Sequence, residues 1–448
     1  MPMSFLALAA LLFTPQTAAA TPSGRPNVVV ILADDLGYGD LACYGGSIPT
    51  PHLERLAGEG VRFTQAYAAA PVCTPSRAGF FTGVAPSKLG VQANTGTNKV
   101  ARKKANGLPG EVVTLAERLD PHGYTTGLVG KWHLGVKEGM EPIDQGFDEF
   151  FGFLGSGHRY LPVTTDTKMM RGKEFEAEHE QEFLTTAFAR ESEAFLVRHR
   201  EKPFFLAVTL SAPHNPYEAS DELLARFPEL EGEARTYAAM IAGLDDAVGR
   251  ILTTLEREGL AENTLVFFSS DNGAMLGESP GSNGSLREGK AFLFEGGLRV
   301  PMIARWPGKI APGTTSDLPV SLLDLAATTL ALAGADATEL GALDGRDLRP
   351  LFAGEAWPER ALFWNLGPSS AMRLGQWKLV ASNKSRWLFD LVADPKEQQD
   401  LSGAQPERLA ELERELAAWV AALPEPLWRN SKAESPFTIL GKGYWVEY

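Results

Sequence analysis

Residues 27–33 (NVVVILA) form a nearly unbroken apolar, β-branched run, the pattern of a strand buried on both faces rather than one that alternates between core and solvent. Similar runs recur at 125–130, 203–210 and 263–270. Helical patterns lie between them. Thr50-Pro51 opens a helix over 52–58, with threonine as N-cap and proline at the first helical position. Residues 182–200 and 234–258 show longer amphipathic periodicity. Strands alternating with helices predict an α/β fold, a large and mostly parallel sheet sandwiched by helices.

The pattern changes after an apolar helix over 321–333, where the polar, turn-rich stretch 344–355 (DGRDLRPLFAGE) intervenes. Beyond it come short strand patterns at 361–365, 371–381 and 386–391, then a helix over 406–421. This predicts a large domain over residues 21–350 and a small C-terminal domain over 351–448, built of an antiparallel sheet and a helix. A length of 448 residues accommodates both. Ahead of them, the apolar run 5–13, Pro15 and Ala18-Ala19-Ala20 have the form of a signal peptide over residues 1–20, although no Lys or Arg precedes the run. The run is too short to span a bilayer, and no later segment reads as transmembrane, so the chain is expected to be exported, periplasmic or secreted. The basic segment 99–104 (KVARKK) reads as a solvated loop.

The net charge of −14 argues against nucleic-acid binding, which needs a basic face, but leaves room for a locally basic pocket that takes an anion. Two cysteines, Cys43 and Cys73, provide no disulfide framework.

The polar residues that carry chemistry fall at strand ends. Asp34-Asp35 follows the first strand, Lys131 and His133 the second, His214 the third, and Asp271-Asn272 the fourth. In an open parallel sheet these carboxyl ends share one edge, where ligands bind. Asp34, Asp35, Asp271 and Asn272 offer three carboxylates and an amide oxygen, a set suited to calcium first and magnesium second. Alone, Asp34-Asp35 would read as a helix cap or a turn; the second pair changes that. Zinc is disfavoured, since the histidines lack His-x-x-x-His spacing and there is no cysteine cluster.

Cys73-Thr74-Pro75-Ser76-Arg77 stands just before an apolar helical stretch. A side chain there faces the free N–H groups of a helix start, an anion site that Arg77 reinforces one turn on. A lone cysteine is otherwise a small buried residue, which is the reading for Cys43.

Cys-x-Pro-x-Arg resembles the motif of the type I sulfatases, formylglycine-dependent members of the alkaline phosphatase superfamily, in which the cysteine is oxidised to formylglycine. The blocks Asn27 to Asp40, Gly130-Lys-Trp-His-Leu-Gly135, Ala212-Pro-His-Asn-Pro216, Ser270-Asp-Asn-Gly273, Gly289 to Pro301, Arg373 to Leu379 and Leu388 to Leu391 resemble the remaining family blocks in their order. The neighbourhood of 146–153 (GFDEFFGF) looks more like carbohydrate sulfatases than aryl-specific ones. One departure is Glu288, where the family usually has a small residue.

The resemblance implies a hydrolase of sulfate esters acting on a sulfated carbohydrate, with Cys73 modified by a formylglycine-generating enzyme. It implies calcium on Asp34, Asp35, Asp271, Asn272 and residue 73, with Arg77, Lys131, His133, His214 and Lys290 around the sulfate. It further implies attack by one hydroxyl of hydrated formylglycine with Asp271 as base, protonation of the leaving alcohol by His214 with help from Lys290, and sulfate release when His133 deprotonates the second hydroxyl. His158-Arg159 is a candidate contact to the organic part of the substrate, and Trp132 reads as packing beneath the site. Two alternatives stay open: a formylglycine-dependent phosphodiester or phosphonate hydrolase on the same fold, and a sulfated-glycan binding protein whose Cys73 is never converted.

Overall fold

In the computed structural model, which describes residues 24–95, 106–162, 169–175, 182–429 and 435–446, strand β1 (Asn27–Asp34) is buried at every position. The runs 5–13 and 99–104 lie outside the described residues. The double burial read from β1 has a plain cause. Val29, Ile31 and Ala33 face one hydrophobic core, and Val28, Val30 and Leu32 face another across the sheet. Further strands β2 (Val61–Tyr67), β3 (Thr125–Lys131), β4 (Glu149–Phe153), β5 (Phe204–Pro213), β6 (Thr264–Ser270) and β7 (Arg299–Arg305) complete the body of the sheet. Their spatial order is β2-β7-β6-β1-β5-β3-β4. The central strands β6, β1, β5, β3 and β4 are parallel, whereas β7 runs antiparallel to both β6 and β2.

Helix α1 (Pro51–Gly58) packs with α3 (Leu184–Arg198) and α4 (Gly232–Arg257) on one face of the sheet. Helix α2 (Cys73–Thr82) and helix α5 (Leu323–Ala333) cover the other. The expected cap of α1 is corrected by the structure. Thr50 occupies the N-cap position, but its side chain makes no capping bond. The free N–H groups of His52 and Leu53 are instead taken by the Asp245 carboxylate of α4, at 3.1 and 2.8 Å.

The C-terminal strands β8 (Ala361–Leu366), β9 (Ser369–Leu374), β10 (Trp377–Ser382) and β11 (Ser385–Asp390) form an antiparallel sheet in sequential order. The single strand expected over 371–381 is two, because Gly375 adopts a φ of 56° and turns the chain back. Helix α6 (Pro406–Ala421) covers one face through Leu412 and Leu416. The other face, together with a hairpin of β12 (Ser435–Ile439) and β13 (Lys442–Val446) that the sequence reading missed, packs on Ala291, Leu293, Phe294 and Leu298.

Candidate active site

Parallel pairing puts four strand ends on one edge. Ala33 stands beside Ser270, and Gly130 beside Thr209, so Asp34, Lys131, His214 and Asp271 emerge together. Gly130 is required there: its φ is 123°, and a Cβ would lie 2.0 Å from the Thr209 carbonyl oxygen. Past the end of β1 the chain turns through Asp35 at φ 62°, and past β3 through His133 at φ 60°. Both are left-handed conformations that side chains seldom adopt away from functional sites.

Cys73 is the first residue of α2 and is 1% exposed. Its Sγ lies 3.4 Å from Asp34 Oδ1, 3.6 Å from Asp35 Oδ1 and 3.2 Å from Lys290 Nζ. Lys290 Nζ is 2.7 Å from each Asp35 oxygen, and Lys131 Nζ is 2.6 Å from Asp34 Oδ2. Arg77 donates through Nε to Asp271 Oδ2 at 2.9 Å and through Nη1 to the Lys131 carbonyl at 2.7 Å. His214 Nε2 stands 3.7 Å from Asp35 Oδ2. Its Nδ1 is 2.6 Å from the Asn215 carbonyl oxygen, which can only accept, so Nδ1 carries the hydrogen and Nε2 faces the site. Asp34, Asp35, Cys73, Arg77, Lys131, His214, Asp271 and Lys290 thus form one cluster, in which Asp35 and His214 are only partly buried. Asn272 joins it through Nδ2 on Asp35 Oδ1 at 2.8 Å, and the His133 ring makes no hydrogen bond to it.

Three carboxylates face three cationic side chains, and burial and charge move the carboxylates in different directions. Burial works to raise Asp34, but Lys131, His214 and Arg77 outweigh it and hold the carboxyl well below the usual range. Asp35 is likewise lowered, chiefly by Lys290 against the effect of burial. Asp271 is raised to about 7 by burial and by the Asp34 charge. Burial, then Lys131 and Arg77, pushes His133 well down and keeps it neutral. His214 is lowered by burial, and the Cys73 thiol is raised by it.

Some of the buried polar atoms that lack a hydrogen-bond partner belong to this site. Asn272 Oδ1, Arg77 Nη2 and both ring nitrogens of His133 are buried and unbonded. Oxygens of Asp34 and Asp35, the Cys73 Sγ and a His214 nitrogen lie within 4.8 Å of one another. An oxygen-rich set with an orphaned amide oxygen fits a hard dication such as calcium. A dication added to balanced side-chain charges leaves an excess of positive charge for an anionic substrate. Asp271 stands a step back from the tightest group. It turns its oxygens to Arg77 and to the Asp35 N–H, at 2.9 and 3.2 Å, so the carboxylates beside Sγ are Asp34 and Asp35.

Several supporting residues escaped the sequence reading. Thr74 Oγ1 donates to the His133 carbonyl at 3.1 Å, and the Thr74 N–H reaches Asn94 Oδ1 at 2.9 Å, tying the helix start to the His133 turn. Asp40, raised to about 6 by burial, accepts from the Gly37 and Ser282 N–H groups and from the Tyr237 hydroxyl. It thereby fixes the loop after Asp35. The position of Asp40 five residues past a metal-type pair was the available signal. Trp132 is buried as expected, with Nε1 on the Met140 carbonyl, whereas Cys43 is half-buried. A side chain at Gly157 would touch the His214 ring, while the His158 ring next along packs against Phe153 with ring centroids 5.4 Å apart. Arg159 is paired with Glu218. The unusual Glu288 takes φ 56° and is separate from the Lys290–Asp35 pair; its carboxylate faces Arg287 at 3.9 Å.

Comparison with known proteins adds an independent line. A family profile described as Sulfatase matches residues 26–335, and one described as N-sulphoglucosamine sulphohydrolase, C-terminal, matches residues 288–423. The N-acetylgalactosamine-6-sulfatase of Canis lupus familiaris is 37% identical over 387 residues, covering 81% of this chain and 72% of that protein. Arylsulfatase A of Homo sapiens is 38% identical over 404 residues, covering 83% and 77%. Among solved structures, Ps i-CgsB in complex with k-i-k-neocarrahexaose superposes with a TM-score of 0.84 at 34% identity, covering 90% of this chain and 94% of the other.

Proposed function

The chain belongs to the sulfatase family and is a sulfuric ester hydrolase, and from that premise we propose that it removes sulfate from a sulfated carbohydrate, using residue 73 as a formylglycine made from cysteine. The carbohydrate reading is supported by relatives named for N-acetylgalactosamine 6-sulfate and by the saccharide-bound structural neighbour. The observation that carries the nucleophile is the position of Cys73, buried at a helix start between Asp34, Asp35 and Lys290.

Calcium on Asp34, Asp35, Asp271 and Asn272 would, with hydrated formylglycine at position 73, supply an activated oxygen nucleophile. Everything else is the work of the chain's own side chains. Arg77, with its Nη2 unbonded, and the Lys131 and Lys290 ammonium groups bind sulfuryl oxygens and offset the charge that builds there. His214, with its Nδ1 hydrogen held by Asn215, turns Nε2 to the site. As the imidazolium that the Asp34 and Asp35 charges favour, it passes the Nε2 proton to the departing alcohol and is left neutral. His133, kept neutral and unbonded at both nitrogens, accepts a proton on the residue 73 side. Asp271, raised to about 7, assists as a base through the cluster. Residues 1–20 are assigned as an export signal, and the maturation partner is a formylglycine-generating enzyme.

The test is product analysis. Protein co-produced with a formylglycine-generating enzyme is offered sulfated saccharides, nitrophenyl sulfate, and phosphate and phosphonate esters. Released sulfate from at least one saccharide is expected. Turnover of the phosphonate or phosphate esters alone would install the alternative hydrolase reading, and no turnover by fully converted protein would favour a glycan-binding role.

A further inference from the structure

The loop that carries Lys290 is strained and held from outside. Glu288 and Ala291 both have positive φ, at 56° and 74°, and a Cβ on Gly289 would lie 2.2 Å from the Ala274 carbonyl oxygen. Conformations of this kind persist only when their surroundings over-determine them. The middle of the loop is held by the large domain, with the Lys290 N–H on the Ala274 carbonyl at 3.0 Å, Asn283 Nδ2 on the Glu288 carbonyl at 3.0 Å and the Ala291 N–H on the Pro71 carbonyl at 2.8 Å. Its two ends are held from the C-terminal part. Arg287 Nε donates to the Glu397 carbonyl at 2.7 Å, and the Glu295 N–H donates to Glu397 Oε2 at 2.7 Å, so one residue bonds both ends of the loop. Lys378 on β10 then reaches the Glu295 carboxylate at 2.9 Å and lies 2.9 Å from Glu397 Oε1. Lys378, Glu295 and Glu397 are fully buried. Glu397 itself sits at φ 53°.

From this geometry we propose that Lys378 and Glu397 are positioning residues, which hold Lys290 against Asp35 and residue 73 by clamping the two ends of its loop. A buried ion cluster is an expensive way to fill space, and apolar side chains of similar volume would often stabilise the fold as well. Apolar residues could not, however, accept the Glu295 N–H or orient its carboxylate. The clamp makes the C-terminal sheet part of the catalytic apparatus, although neither residue reaches the substrate. The proposal rests on the reading that Lys290 binds the sulfate group.

The test is a double-variant comparison on converted, calcium-loaded enzyme. Lys290→Ala, Lys378→Met and the combination are assayed for kcat and KM on a sulfate ester, with calcium content and melting temperature recorded for each. Lys378→Met is expected to lower kcat/KM by roughly 10²-fold, the effect of displacing a catalytic group by about an ångström. Calcium content should stay unchanged, and Lys378→Arg should recover part of the loss. Because Lys378 acts through Lys290, the double variant should be no worse than Lys290→Ala alone. Losses that multiply in the double variant, or full activity of Lys378→Met, would overturn the proposal. If Lys378→Met does not fold, Glu397→Gln, which keeps shape and an acceptor for the Glu295 N–H, serves in its place, with a smaller loss that vanishes in the Lys290→Ala background. Undiminished activity of Lys290→Ala would instead contradict the role given to Lys290.

Discussion

Lys131 Nζ meets Asp34 Oδ2 at 2.6 Å with both side chains wholly buried. Such a pair is weak evidence for stability, because the charges lose their hydration, but removing one partner strands the other. The pair therefore makes the metal and the lysine partly interchangeable as counter-charges for Asp34. Lys131→Met should lower stability by about 3–5 kcal/mol in chelator, and calcium should recover much of that, whereas the wild type should depend less on calcium. Thermal unfolding of both proteins with and without calcium checks this. A calcium-independent deficit would argue that Asp34 is not a ligand.

The two histidines should separate by substrate. A general acid matters most when the leaving oxygen is strongly basic. His214→Ala should slow hydrolysis of a sugar sulfate by about 10²–10⁴-fold and of nitrophenyl sulfate much less. His133→Ala should slow both alike and let sulfated enzyme accumulate, visible by intact mass. The reverse pattern would show that the roles are exchanged.

Stability should also report the clamp through pH. Glu397 is raised to about 7 by burial and the Glu295 charge, against the pull of Lys378, whereas Glu295 is held down at about 2 by Lys378, Arg299 and Arg373 against burial. The native state therefore holds a proton on Glu397 that the unfolded chain releases near 4.5. Stability from this group is full below about 4.5, falls as pH rises to about 7, and is level above. Glu295 has the opposite sign: its contribution is present above 4.5 and lost as pH falls toward 2. Glu397→Gln should flatten the difference between pH 4.5 and 7 in denaturant titrations. An unchanged slope would mean that Glu397 is ionised in the native state.

The parallel strands and their polar ends were legible because burial on both faces writes an unbroken apolar run, and the chemistry begins where the run stops. Asp34, Lys131, His214 and Asp271 follow that rule. Direction was less legible. The hydrophobic pattern of β7 is the same whether it runs with or against β6, and only the connection decides. The cap on α1 was misread because Asp245 comes from 193 positions away from His52, where local rules have no view. The C-terminal hairpin at Gly375 hides inside a run that alternates on both sides of it. The Glu295–Lys378–Glu397 cluster leaves no local sequence mark at all, since its members meet only after the small sheet docks on the Lys290 loop.

Catalysis turns on residue 73. Protein made with graded amounts of a formylglycine-generating enzyme would contain varying fractions of converted residue 73, read by mass spectrometry of the peptide spanning Cys73 to Arg77. Specific activity for sulfate release should rise in proportion to the converted fraction and extrapolate to zero for the thiol. Undiminished activity from protein whose residue 73 is entirely cysteine would contradict the account.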